Sequence, residues 1–272
     1  MKWFTYIVRR GAEAADRSRM NALHTPGRRR DAYEALAAPV VILVGHFGSG
    51  KSEIALNLAL GFSARGEKVS VVDLDVVKPY FRCRQAREEL RAHGISLVAP
   101  EGENAHADLP IVLPAVRHLL QHGDGRVLMD VGGDPVGARA LGSVSDAVAA
   151  DTTELLVVLN FSRPYTETVR EAVEMVRAIE GAARLRATGL ISNTHLLSET
   201  TPEMVREGLA MAEETAGELR LPVVAAVADE KTARSLSATA LPCPVLALER
   251  LIKPPFEGTR RQRKVGPLFV LN

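Results

Sequence analysis

The chain has 272 residues, 46% hydrophobic and 25% charged, with 34 Lys+Arg against 33 Asp+Glu for a formal net charge of +1. This composition excludes disordered, collagen-like and coiled-coil chains and suits one large α/β domain or two small ones. The net charge is a cancellation: residues 1–38 carry +4 (eight basic, four acidic), residues 39–252 carry −7 (21 basic, 28 acidic) and residues 253–272 carry +4 (five basic, one acidic).

In chain order, residues 1–38 show no strong period and read as a basic N-terminal extension or linker, with a turn at 25–30 and a second methionine start at Met20. The apolar run at 3–8 is too short for a secretory signal, and no run approaches the roughly 20 residues that span a bilayer. From Val40 onward, strands are predicted at 40–44, 69–73, 95–99, 127–131, 155–160, 188–192 and 223–227. Helices are predicted between them at 52–64, 81–93, 110–121, 138–149, 166–180, 202–219 and 231–238. Continuous Val/Ile/Leu strands alternating with helices predict an α/β fold of three layers, a mostly parallel sheet covered on both faces. Ligands of such sheets bind at the carboxyl ends of the strands. Residues 253–272 read as an irregular basic tail, and residues 39–252 as the folded domain between the two ends.

Cys83 and Cys243 are the only cysteines and form no C-x-x-C pair, which excludes a disulfide framework, a zinc ribbon and an all-cysteine iron–sulfur site within one chain. Both read as ordinary thiols, and a reducing, cytoplasmic setting is expected. Only seven of the basic residues are lysines, so a lysine inside a motif calls for a reason.

Gly45, His46, Phe47, Gly48, Ser49, Gly50, Lys51 and Ser52 match G-x-x-x-x-G-K-[ST] directly between a predicted strand and a predicted helix. The glycines let backbone amides converge on phosphate oxygens, and the helix N-terminus adds partial positive charge. Lys51 would reach the β- and γ-phosphates, and Ser52 would coordinate Mg²⁺. Asp73 and Asp75 end the second strand: Asp73 suits the magnesium shell and Asp75 the positioning of attacking water. A further apolar strand ends in Asp130, followed by Gly132 and Gly133. Its D-x-x-G form suits an Asp that reaches metal-bound water and a glycine amide that senses the γ-phosphate.

These segments, residues 44–52, 71–75, 130–133 and 190–193, resemble the ParA/MinD/CobQ–CbiA superfamily of P-loop NTPases, which includes the nitrogenase iron protein and dethiobiotin synthetase. The resemblance covers roughly residues 40–250. It implies a sheet of about seven strands, Mg²⁺ and ATP in the crevice, and a nucleotide-dependent homodimer. Position by position, it implies Lys51 and Ser52 as the P-loop lysine and hydroxyl, Asp75 as the hydrolytic Asp, Asp130 as the Walker B Asp and Asn193 as a reader of the purine edge. Leu196 stands where the GTPase pattern N-K-x-D has its guanine-reading Asp, which favours adenine. Asp229 sits where the family often contributes a base or ribose contact, with a helix cap as the plainer reading.

This sequence departs from ParA and MinD at the early loop position of a second lysine that acts across the dimer. Here that residue is His46, mostly neutral near pH 7. The nitrogenase iron protein is disfavoured because its bridging cluster needs two placed cysteines per subunit. Arg163, in the loop after the fifth strand, is a candidate contact to a phosphate or a bound substrate. Lys78 and Arg82 would lie in a first switch segment, and His195 in a base pocket or a plain loop. The basic ends suggest, more weakly, a membrane surface or nucleic acid. The expected function is a Mg²⁺-dependent ATPase acting as a switch or assembly factor for a protein partner. Two alternatives stand beside it: an ATP-dependent small-molecule ligase resembling CbiA or dethiobiotin synthetase, and a non-hydrolysing nucleotide-binding module.

Overall fold

The computed structural model describes residues 31–36, 38–75, 83–100, 105–133, 135–236 and 240–252. Two units are distinguished, Met1–Asp31 and Ala32–Asn272; of the first, only Asp31 is described. Lys78, Arg82, Asp134, residues 1–30 and the basic tail 253–272 lie outside the described residues.

The second unit opens with α1 (Ala32–Ala35), β1 (Val40–Val44), α2 (Lys51–Ala64) and β2 (Val69–Asp73). It continues through α3 (Arg87–Ala92), β3 (Ser96–Val98), α4 (Ala105–His122), β4 (Arg126–Asp130), α5 (Pro135–Gly142) and β5 (Thr153–Leu159). It closes with α6 (Val169–Ala183), β6 (Gly189–Ser192), α7 (Pro202–Leu219), β7 (Val223–Asp229), α8 (Glu230–Leu236) and β8 (Val245–Leu248). The eight strands form one sheet in the order β3-β2-β4-β1-β5-β6-β7-β8, and every pairing is parallel.

Side chains alternate faces along a strand, and here both faces are buried. Val41 and Leu43 of β1 pack into one layer with Ile54, Leu58 and Phe62 of α2. Val40, Ile42 and Val44 pack into the opposite layer with Val116, Leu141, Val176 and Ala212. That is why β1 reads as an unbroken apolar run rather than an alternating one. Phe62, at the base of α2, is gripped from two sides: Tyr33 meets it edge-on at 5.4 Å, and the Arg126 guanidinium lies 4.0 Å from its ring centroid.

The sheet has one strand more than the seven expected. The extra strand, β8, is four residues long and follows Pro242 and Pro244, so it carries too little pattern to announce itself. The helix expected at 138–149 ends at Gly142 and gives way to a 3₁₀ turn, Ser145–Ala147. Gly142 lies so near α6 that a Cβ there would stand 2.8 Å from the Ala182 carbonyl. Among the described residues, no helix is long and apolar enough to cross a membrane.

The order of the strands places the site. The chain steps outward from β1 to β2 and β3, returns to insert β4 beside β1, and then runs the other way through β5 to β8. Connections therefore diverge at the carboxyl ends of β1, β4 and β5, which opens a crevice there.

Candidate functional site

The loop 45–50 joins β1 to α2 at this crevice. Gly50, the residue before α2, has φ +92° and supplies no side-chain cap to the helix. A side chain at Gly50 would also collide with the Asn193 amide. By contrast α6 and α7 are capped by the hydroxyls of Thr168 and Thr201. The first turn of α2 thus keeps its amide donors for a ligand, and a helix N-terminus with open amides favours an anion. Lys51 is buried, and its Nζ donates to the His46 carbonyl 3.3 Å away across the loop.

Beside the loop, Asp73 and Asp130 stand opposite each other in the β2–β4 register, both fully buried. Ser52 Oγ donates to Asp130 Oδ2 at 2.5 Å, and Cys83 Sγ donates to the same oxygen at 3.4 Å. Asp130 Oδ1 is buried without a hydrogen-bond partner. Burial, and then the Asp73 charge beside it, push the Asp130 carboxyl up, while Lys51 and the Ser52 hydroxyl pull the other way. The same burial and the charges of Asp130 and Asp73 push the Cys83 thiol up, so it stays protonated as a donor. The Asp75 amide donates to Asp73 Oδ1 at 3.1 Å, which turns the chain at the strand end.

Asp73, Asp75 and Asp130 are all buried here, and their carboxylate oxygens with the Ser52 hydroxyl form a set of hard oxygen donors. This set suits Mg²⁺, which prefers one or two carboxylates supplemented by substrate phosphate and water. Among the described residues, no group of three or more His, Cys, Asp or Glu side chains forms a protein-only metal centre.

Gly133 closes the crevice from β4: a Cβ there would overlap the Gly45–His46 peptide, so only glycine allows this approach. Asn193, at the end of β6, donates from Nδ2 to the Ser49 carbonyl at 2.6 Å, so its amide is committed to the loop. Asp229 caps α8, its Oδ1 accepting from the Lys231 and Thr232 amides at 3.0 Å each, as the plainer reading has it. Phe47 is exposed, and the His46 ring packs against Tyr165 at 5.7 Å. Cys243 is half-buried, a free thiol away from these groups.

Asn160 is a further residue of this crevice, outside the sequence motifs. Buried at the end of β5, it donates from Nδ2 to the Gly48 carbonyl (3.2 Å) and the His195 carbonyl (3.3 Å). Its Oδ1 accepts from the Ser162 and His195 amides at 3.0 and 3.3 Å. One side chain thus ties the phosphate loop to the loops after β5 and β6. Its signal in the sequence is the first polar residue after the apolar run of β5. Among the described residues, the exposed large apolar side chains are Phe47, Tyr165, Leu196 and Leu197, all in loops on this edge.

A three-layer parallel α/β sheet with a G-x-x-x-x-G-K-S loop between β1 and its helix is consistent with a P-loop NTPase fold. No protein-family profile matches the sequence, and no curated protein does. Solved structures similar to the chain include the cell division protein FtsY of Thermotoga maritima, at 19% identity and TM-score 0.49, covering 76% of this chain and 64% of that one. Chloroplast FtsY of Physcomitrella patens is similar at 23% identity and TM-score 0.47, covering 73% and 59%. The signal recognition particle 54 kDa protein of Aeropyrum pernix, solved with GDP, is similar at 20% identity and TM-score 0.46, covering 74% and 42%. The chain thus spans 42% to 64% of the length of these three structures. At such values no function passes from them to this chain.

Proposed function

We propose that the chain is a Mg²⁺-dependent ATPase of the ParA/MinD-like kind, a nucleotide-driven switch or assembly factor for a protein partner. The observation that carries this reading is the 2.5 Å hydrogen bond from Ser52, the last residue of the phosphate loop, to the buried Asp130 of the neighbouring strand. It joins the phosphate-binding and metal-binding halves of the site. Ser52 and Asp130 would hold the metal, with Asp73 in its outer shell. When bound, Mg²⁺ supplies neutralising charge to the phosphate oxygens. The chain's own groups do the rest. The open amides of the loop and the Lys51 ammonium bind and orient the triphosphate, Lys51 exchanging its contact with the His46 carbonyl for phosphate oxygens. Asp75 orients the attacking water, and Gly133 offers its amide to the γ-phosphate. Asn193, its Nδ2 held by the loop, would read the base through Oδ1. The exposed rim of Phe47, Tyr165, Leu196 and Leu197 supports a protein contact beside the nucleotide, since apolar side chains gathered at one edge mark an interaction surface.

The test is phosphate release with Mg²⁺ and ATP, with GTP alongside, by the wild type, Lys51→Ala and Asp75→Ala. Lys51→Ala and Asp75→Ala are expected to lower turnover by about 100-fold or more, the scale for removing a charge-stabilising or water-positioning group. Equal turnover in all three chains overturns the reading. Turnover with GTP but not ATP overturns its choice of base.

A further inference from the structure

Arg163 lies in the loop between β5 and α6, and its backbone is fixed there. The Arg163 amide donates to the Asn160 carbonyl at 3.3 Å. Thr166 Oγ1 donates to the Asn160 and Arg163 carbonyls at 2.7 and 3.1 Å. Asn160 is in turn bonded to the phosphate loop at Gly48. The Arg163 side chain runs along that same glycine: a Cβ on Gly48 would stand 3.1 Å from its Nε, 3.4 Å from Cδ and 3.6 Å from Cζ.

Arg163 Nε is buried without a hydrogen-bond partner. No carboxylate pairs with this guanidinium among the described residues. A buried, unmet donor on a permanent cation is costly, and native sites that keep one hold it for an acceptor. The same loop is strained two residues on. Tyr165 adopts φ +66°, unfavourable for an aromatic residue, and its ring rests against His46. The β5–α6 loop therefore meets the phosphate loop at His46 and at Gly48, and at Gly48 it brings a cation in search of an anion.

We propose that Arg163 is a cationic ligand of the nucleotide's phosphate chain, supplied by the same subunit in place of the lysine that position 46 lacks. The planar guanidinium fork suits phosphate oxygens, and its Nε would gain there the acceptor it lacks. The proposal rests on the nucleotide-binding reading above and names a contact which that reading does not contain.

The experiment measures binding of fluorescent ATP and ADP, and of adenosine by competition, to the full chain and to its Lys51→Ala, Arg163→Met and Arg163→Lys variants. Methionine keeps the apolar stem beside Gly48 and removes the charge, and an unchanged melting temperature shows that the fold is kept. Arg163→Met is expected to weaken ATP and ADP by about 10- to 100-fold, the scale of a lost charge-assisted hydrogen bond, and Arg163→Lys by less. Adenosine is expected to bind the wild type and Arg163→Met alike. Unchanged ATP and ADP affinity in Arg163→Met overturns the proposal, as does an equal loss for adenosine, which would put the contact on the nucleoside. If the wild type binds no nucleotide, or Lys51→Ala binds as the wild type does, the nucleotide reading itself fails. A normal wild type with an unaffected Arg163→Met refutes the arginine contact alone.

Discussion

His195 shows how one residue's surroundings fix its charge. It follows Asn193 and Thr194 at the end of β6, its Nε2 standing 3.5 Å from where a Cβ on Gly50 would be. Burial, and then the charges of Arg163 and Arg250, bring its pKa down from 6.5 to about 4. The ring is therefore neutral near pH 7 and adds no charge to the cation at Arg163. The unfolded chain takes up this proton near pH 6.5, the folded chain only near pH 4, so U binds more protons than N within that window. The stability that His195 contributes is complete above pH 6.5 and is lost as pH falls towards 4. His195→Gln should lose less of its melting temperature between pH 7 and pH 5 than the wild type, by about 2–4 °C after allowance for solvent screening. The comparison must be differential because Glu53, whose carboxyl burial pushes up, titrates with the opposite sign. Parallel melting curves in the two chains would refute this assignment of the proton.

At the scale of elements, α2 does two tasks with adjacent residues. Lys51 reaches the His46 carbonyl and Ser52 the Asp130 carboxylate. The next residue, Glu53, accepts from the Leu251 and Ile252 amides at 3.1 and 2.8 Å. Asn57 clasps the Glu249 peptide from both sides, donating to its carbonyl and accepting from its amide at 2.8 Å each. The segment after β8 is thus strapped to α2. Asn57→Ala would leave a partly buried peptide group without either partner, and should cost about 2–3 kcal/mol in urea unfolding. Nucleotide affinity should change little, since Asn57 lies on the far side of the helix's first turn. A loss under half that size would mean that water replaces the clasp.

The same helix shows what the sequence could and could not disclose. Its loop was legible because phosphate binding by backbone amides needs consecutive residues, and Gly45 to Ser52 carry the whole pattern locally. The inner strands were legible because their faces are buried, which leaves apolar runs, whereas the short edge strand β8 carries too little pattern. The clasp spans 192 positions, the Ser52–Asp130 bond 78, and the Asn160–Gly48 bond 112. Such contacts leave no periodic trace, since strand order rather than spacing brings the residues together. The approach of Arg163 to Gly48 is hidden for the same reason: the sequence offers Arg163 as a candidate contact to a phosphate or substrate, but only the β5–α6 loop, folded over Gly48, places it there. Cys83 read as an ordinary thiol because nothing near it in the chain points to Asp130.

At the scale of the whole molecule, residues 39–252 carry seven negative charges in excess and would still hold a polyanion. On the reading proposed above, bulk attraction does not draw it in and it is held by short-range donors: the open amides, Lys51, the metal and Arg163. Where the cation at the phosphate chain comes from also decides whether one subunit is sufficient. If it were supplied by a second copy, turnover per chain would rise with protein concentration as subunits pair. His46 offers no permanent charge to a neighbour, whereas Arg163 reaches the loop from within its own chain. Turnover per chain is therefore expected to stay constant across a dilution series under saturating Mg²⁺ and ATP, with light scattering recording the oligomeric state of each sample. A fall on dilution that tracks loss of a dimer would show that the site is completed across two subunits, and would move the apolar rim of Phe47, Tyr165, Leu196 and Leu197 from a partner surface to a self-contact.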